Sequence, residues 1–89
     1  MSAEENSAES SRLLRLRVAA EADPGALPRL LASFQNLNVI PRRVVAEFGT
    51  GHVLHVQIDL FGLPESRLEA ITARLDQIPS VLNAYWHHL

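Results

Sequence analysis

Few side chains in this chain could do acid–base or ligand chemistry, and their spacing decides most of the cases. Four histidines, His52, His55, His87 and His88, are the obvious candidates for a metal. His87 and His88 are adjacent, so in a strand they point to opposite faces and cannot share an ion. Asp59 and Glu47 are expected to face each other across a hairpin. A sheet covered on one side only leaves such a pair unenclosed, without the burial that raises a carboxyl pKa for general acid work. Ser10, Ser33, Ser66 and Ser80 lie in no strand-to-helix elbow that would present a nucleophile. Gly49 and Gly51 join two strands and precede no helix, so they form no phosphate cradle. No residue set calls for catalysis, a metal or a cofactor.

The remaining candidate is Glu21-Ala22-Asp23-Pro24-Gly25-Ala26-Leu27, where an alternating pattern gives way to a helical one. Asp23 suits an N-cap, its carboxylate accepting from an amide of the first turn. Pro24 suits the first helical position, where no N–H is missed. Gly25 has no Cβ, so a backbone or a ligand can come close. A helix start of this kind attracts an anion through its free amides and positive dipole end.

The elements that must position this turn follow from periodicity. Leu14, Leu16, Val18 and Ala20 alternate with Arg15, Arg17 and Ala19, which predicts a half-buried strand. Leu27, Leu30, Leu31 and Phe34 have the spacing of one apolar helical face. Pro28 is tolerated there if it stays within the first turn. Asn36-Leu37-Asn38 closes the helix. Val39 to Phe48 is rich in β-branched residues and predicts a second strand, with Pro41 marking an edge or a bulge near its start. Gly49-Thr50-Gly51 is a hairpin connection to a third strand, His52 to Phe61. Gly62-Leu63-Pro64 opens a second helix with Pro64 as its first residue, and Leu68, Ile71, Leu75 and Ile78 form its stripe. After Pro79 a fourth strand runs from Val81 to Leu89, with Tyr85 and Trp86 on opposite faces. The order is that of an α+β, ferredoxin-like βαββαβ sandwich: a four-stranded antiparallel sheet with two helices on one face.

Composition bounds the function class. The 89 residues hold 8 basic and 10 acidic side chains, and a net charge of −2 leaves no electrostatic footprint for nucleic acid or an anionic membrane. Residues 1–11 are acidic, Ser-rich and poor in apolar side chains, and are expected to be a disordered tail. Residues 12–89 form a single domain. There is no cysteine, hence no disulfide or thiolate chemistry. No apolar run approaches the ~20 residues that span a bilayer, and the N-terminus lacks a signal-peptide pattern. The expected location is the cytoplasm. A domain this small buries only roughly 60% of its unfolded surface, which favours oligomerisation.

With Asp23-Pro24-Gly25-Ala26-Leu27 after strand one and Leu37-Asn38-Val39-Ile40 leading into strand two, the chain resembles the ACT domain over about Leu13 to Leu89. ACT domains are small regulatory modules that bind amino acids. Within the family the chain looks most like the regulatory small subunit of acetolactate synthase, in its short, single-ACT form. The run Leu75-Asp76-Gln77-Ile78-Pro79-Ser80-Val81 is similar to the end of that subunit's second helix. Departures are Leu37, where an aromatic is common, Pro41, and Ala22, where the family usually has the Asp or Asn that holds the effector's amino group. The resemblance implies an effector site at Asp23, Gly25, Ala26, Asn38, Val39 and Ile40, with Gly25 and Ala26 receiving a carboxylate. It also implies a homodimer in which strand-two edges join into an eight-stranded sheet, a branched-chain amino acid as effector, and the acetolactate synthase catalytic subunit as partner. The alternative is a stand-alone ACT-like sensing or interaction module that regulates another enzyme. A small hydrolase of acylphosphatase type would need an arginine in the loop after strand one, and Ala22-Asp23-Pro24-Gly25 offers none.

Overall fold

The computed structural model describes residues 12–89; the expected tail, 1–11, lies outside them. The elements in order are β1 (Leu13–Glu21), α1 (Ala26–Asn36), β2 (Arg43–Phe48), β3 (Val53–Phe61), α2 (Glu65–Asp76) and β4 (Val81–His88). The sheet is antiparallel in the order β2-β3-β1-β4. This is the βαββαβ arrangement that the periodicities predict. β1 lies between β3 and β4, pairing Leu16 with Ile58 on one side and with Trp86 on the other. A one-residue shift between Ala19 and Ala20 interrupts its ladder with β4.

Burial follows the alternation. Leu14, Leu16, Val18 and Ala20 of β1 and Val56, Ile58 and Leu60 of β3 are buried on one face. Leu30 and Phe34 of α1 and Leu68, Ile71 and Leu75 of α2 complete the core. Leu27, Leu31, Ile78 and Trp86 pack around it. Trp86 thus faces the helices, while Tyr85 is exposed and lines a depression on the open face. Pro28 falls in the first turn of α1, where its missing amide has no role.

Four boundaries differ from expectation, each for a local reason. β2 begins at Arg43, not Val39, because Asn38 closes α1 in a Schellman motif. Asn38 takes φ 59°, its N–H donates to the Gln35 carbonyl at 3.0 Å, and the Val39 N–H donates to that of Phe34 at 2.8 Å. Val39 to Arg42 must then cross to the sheet, and the Arg42 N–H reaches the Asp59 carbonyl at 2.7 Å. β3 begins at Val53, since His52 is the second positive-φ residue of the hairpin loop (57°, after Gly51 at 71°). Pro64 is extended and caps α2 from outside as its N-cap. Pro24 lies in the turn before α1, whose N-cap is Gly25 with no side-chain cap.

Asp59 and Glu47 do not face each other: the register sets Arg43 opposite Asp59 and His55 opposite Glu47. β1 separates β3, which carries His55, from β4, which carries His87.

Two substitutions test this packing. Leu16→Ala, at a fully buried position, is expected to cost about 2–5 kcal/mol in urea unfolding. Asn38→Gly should be tolerated, whereas Asn38→Ala should lose about 1 kcal/mol because alanine resists the left-handed backbone that closes α1.

Candidate functional site

At the β1–α1 turn the peptide groups are already engaged. Asp23 Oδ1 accepts from the Gly25 N–H at 2.7 Å and from Arg29 Nη2 at 2.9 Å. The Ala26 N–H donates to the Asp23 carbonyl at 3.0 Å. The carboxylate therefore turns back on its own loop and does not cap the helix as its sequence position suggests. Its pKa is lowered, first by the bond from Arg29 and then by that from Gly25. The two amides that the resemblance offers to an effector carboxylate are both satisfied within the chain, with the Asp23 carboxylate on that of Gly25. A Cβ at Gly25 would meet Arg29 Nη2 at 2.9 Å and displace the end of that flexible side chain from Asp23.

Asn38, Val39 and Ile40 stand beyond the other end of α1. Eleven helical residues separate the two groups, about 16 Å along the axis, so one chain does not bring them together. The Asn38 and Val39 amides are spent on the Schellman closure, while the Ile40 amide has no partner among the described residues. Ile40 itself is 91% exposed. With Leu31, Phe34, Gln35, Val39, Pro41 and Val44 it forms an open apolar groove between α1 and β2.

The open face of the sheet carries most of the remaining polar residues. Asp59 is only 4% exposed there, and it accepts from Arg15 Nε at 2.7 Å and Arg15 Nη2 at 3.1 Å. Gln57, with its amide oxygen turned toward Arg15, accepts from the same guanidinium at 3.2 Å. The Arg15 bond holds the Asp59 pKa below the usual carboxylate range against the opposing effect of burial, helped by the charges of Arg15, Arg43 and Arg17. Arg17 Nε donates to His87 Nε2 at 3.1 Å, so His87 carries its proton on Nδ1, which donates to the His88 carbonyl at 3.1 Å. A shallow depression of about 290 Å³ lies beside them, lined by Arg17, Glu47, His55, Gln57, Asn83 and Tyr85 among others. Around Arg15 and Arg17 this surface is held by hydrogen bonds among its own side chains. Among the described residues no group of three or more His, Asp or Glu is placed to hold a metal. No helix there is long and apolar enough to cross a membrane.

Sequence reasoning missed the Arg15–Asp59 pair because it depends on the β1–β3 register, which joins residues 44 apart. It also missed Arg67, whose Nη2 donates to the Leu37 carbonyl at 2.8 Å, just past the end of α1. The only signal for Arg67 was its position three residues after Pro64.

No family model and no curated protein sequence matches the chain. Solved structures do. The ACT domain from GTP pyrophosphokinase of Chlorobium tepidum superimposes with a TM-score of 0.72, covering 84% of this chain and 96% of its own at 13% identity. The chain has the ACT fold. The C-terminal domain of the MgtC protein from Mycobacterium tuberculosis matches it at TM-score 0.74, with 18% identity, 91% of this chain and 90% of its own. An uncharacterized protein from Thermotoga maritima matches at 0.69, with 16% identity, 88% of this chain and 96% of its own. At such identities the likeness is one of architecture. In this chain β2 and β4 form the two edges of the sheet, and candidate surfaces are judged by the residues placed on them.

Asp59→Asn should lower the urea midpoint at neutral pH, because Arg15 loses its carboxylate. The pH dependence has a definite sign. A folded-state pKa below the unfolded value of ~3.9 gives stability that is present above pH ~4 and is lost as pH falls through the folded value. Wild type should show that acid loss in melting curves, and Asp59→Asn should show less of it.

Proposed function

We propose that this chain is a non-catalytic regulatory module that works as a homodimer joined through its β2 edges. The observation that carries this reading is the uncovered apolar edge: Ile40 at 91%, Phe48 at 69% and Val44 at 37% exposure beside an unpaired strand. Such an edge invites strand addition by another chain. A second copy is the occupant whose charges fit. On the open face β2 carries Arg43 and Glu47, neither of which has an ion-pair partner among the described residues. Antiparallel self-pairing with Val45 opposite Val45 sets Arg43 of each copy against Glu47 of the other, twice, by two-fold symmetry. Val44 then lies opposite Ala46 on the helix side.

The same arrangement supports an effector site between copies. The β1–α1 turn lies at the hairpin end of the sheet, where the Ala22 N–H donates to the His52 carbonyl at 2.9 Å. Antiparallel pairing brings that end beside Asn38–Ile40 of the second copy. An amino acid fits with its ammonium on Asp23, its carboxylate on the free Ile40 amide and a branched aliphatic tail against Val39 and Ile40. Gly25 and Ala26 shape the turn that holds Asp23. The regulated enzyme in this reading is an acetolactate synthase catalytic subunit, and the chain itself is cytoplasmic. The engaged Gly25 and Ala26 amides favour a second reading, in which the module binds a protein and no amino acid.

Sedimentation should give a dimer that Arg43→Glu weakens and that Arg43→Glu with Glu47→Arg restores, since cross-strand charge pairs contribute roughly 0.2–1 kcal/mol each. A dimer indifferent to both would exclude this register. In a thermal-shift screen valine, leucine or isoleucine should raise the midpoint, the gain being about 2.7 kcal/mol at 100 times Kd, and Asp23→Ala should remove it. No shift with any amino acid, together with co-purification of an enzyme, selects the second reading.

A further inference from the structure

A cleft of about 260 Å³ opens where the α1–β2 and β3–α2 connections cross, lined by Asn38, Val39, Ile40, Leu60, Phe61, Leu63 and Arg67. It lies at the opposite end of the sheet from the β1–α1 turn and is built from one chain alone. Its floor is apolar: Leu60 is buried, and Val39 and Leu63 pack against the core. Its rim is cationic. Arg67 is tethered at 2.8 Å to the Leu37 carbonyl, a bond that uses one of five guanidinium donors and leaves the others free. Arg42, outside the cleft's lining, lies over the Phe61 ring, 4.4 Å from its centroid. Neither arginine has a carboxylate partner among the described residues.

An apolar pocket with a fixed, unpaired guanidinium at its mouth matches one ligand chemistry: a short aliphatic chain ending in an anion that accepts two parallel hydrogen bonds. Inorganic phosphate satisfies the arginine but leaves the floor empty, and a neutral aliphatic molecule leaves the arginine unused. We propose that this cleft is an intrachain seat for a small aliphatic monocarboxylate, with Arg67 receiving the carboxylate and Val39, Leu60 and Leu63 receiving the tail. This seat needs no second copy; it shares Val39 and Ile40 with the effector site proposed between copies and differs from it in using Leu60, Leu63 and Arg67 in place of Asp23.

Isovalerate, which has the branched tail and the carboxylate but no ammonium, is the probe. Titration into the full chain, followed by amide chemical shifts, should give saturable perturbations confined to residues 37–42 and 60–67. Arg67→Gln should weaken binding roughly 10- to 100-fold, the range for a lost charge-assisted bond, while Arg74→Gln, in the last turn of α2, leaves it unchanged. Leu63→Trp fills the cleft and should abolish binding; its folding is checked by the same spectra. A Val44→Glu variant, designed to disrupt the β2 edge, should bind isovalerate as wild type does. Absence of saturable shifts overturns the proposal. Shifts centred on residues 23–26, or binding lost with Val44→Glu but kept with Arg67→Gln, also overturn it and assign the ligand to the seam between copies.

Discussion

The strict alternation of β1 is the constraint on which the rest of the molecule depends. Leu14, Leu16, Val18 and Ala20 are buried, and Arg15, Arg17 and Ala19 between them face the other way. Because β1 is flanked on both sides, its pleat sets the pleat of β3 and β4 through the ladder. A slip of one residue would place every core side chain in water. The helices must lie on the leucine side, and the arginine side must remain open. The Arg15–Asp59 pair reinforces this choice from the open face, where two strands meet through charge instead of apolar contact.

Two helices of 11 and 12 residues leave β2 largely uncovered. β2 has the same inward-facing apolar pattern as its neighbour β3, and its Val44 and Ala46 are paired with the buried Ile58 and Val56. Val44, Ala46 and Phe48 are nonetheless exposed. Its apolar side chains therefore form an uncovered strip along that edge of the sheet among the described residues. The polar face differs in kind: Asp59, Arg15, Gln57, Arg17 and His87 already bond one another. Apolar burial is incomplete along the β2 edge, whose Arg43 and Glu47 also lack ion-pair partners among the described residues, while the centre of the open face is paired.

Much of this architecture was legible in the sequence because it rests on local periodicity. The element order, the apolar stripe Leu68, Ile71 and Leu75, and the opposed faces of Tyr85 and Trp86 all come from spacing within a few residues. Legibility fails where backbone geometry or long-range register decides. Val39 and Ile40 read as strand because they are β-branched, yet the positive φ of Asn38 commits their backbone to closing a helix. Asp59 and Glu47 share the open face by alternation, but the register, centred on Gly51, keeps them apart and sets Arg43 opposite Asp59 and His55 opposite Glu47. For the candidate site, the sequence indicated the turn at Asp23–Gly25 as a place of close approach. It could not indicate that Asp23 and Arg29 occupy that place themselves.

The closure at Asn38 also has a mechanical side. The Val39 amide is tied to the carbonyl of Phe34, whose ring is buried in the core, and Arg67 of α2 holds the neighbouring Leu37 carbonyl. The segment leading to Ile40 is thus a short lever pinned to both helices, and not a free flap. A force applied at its tip, whether by a neighbouring copy or by a small molecule, is delivered to the last turn of α1 and the first turn of α2 together. Strand edge and helical layer are in this way geared to each other by three hydrogen bonds.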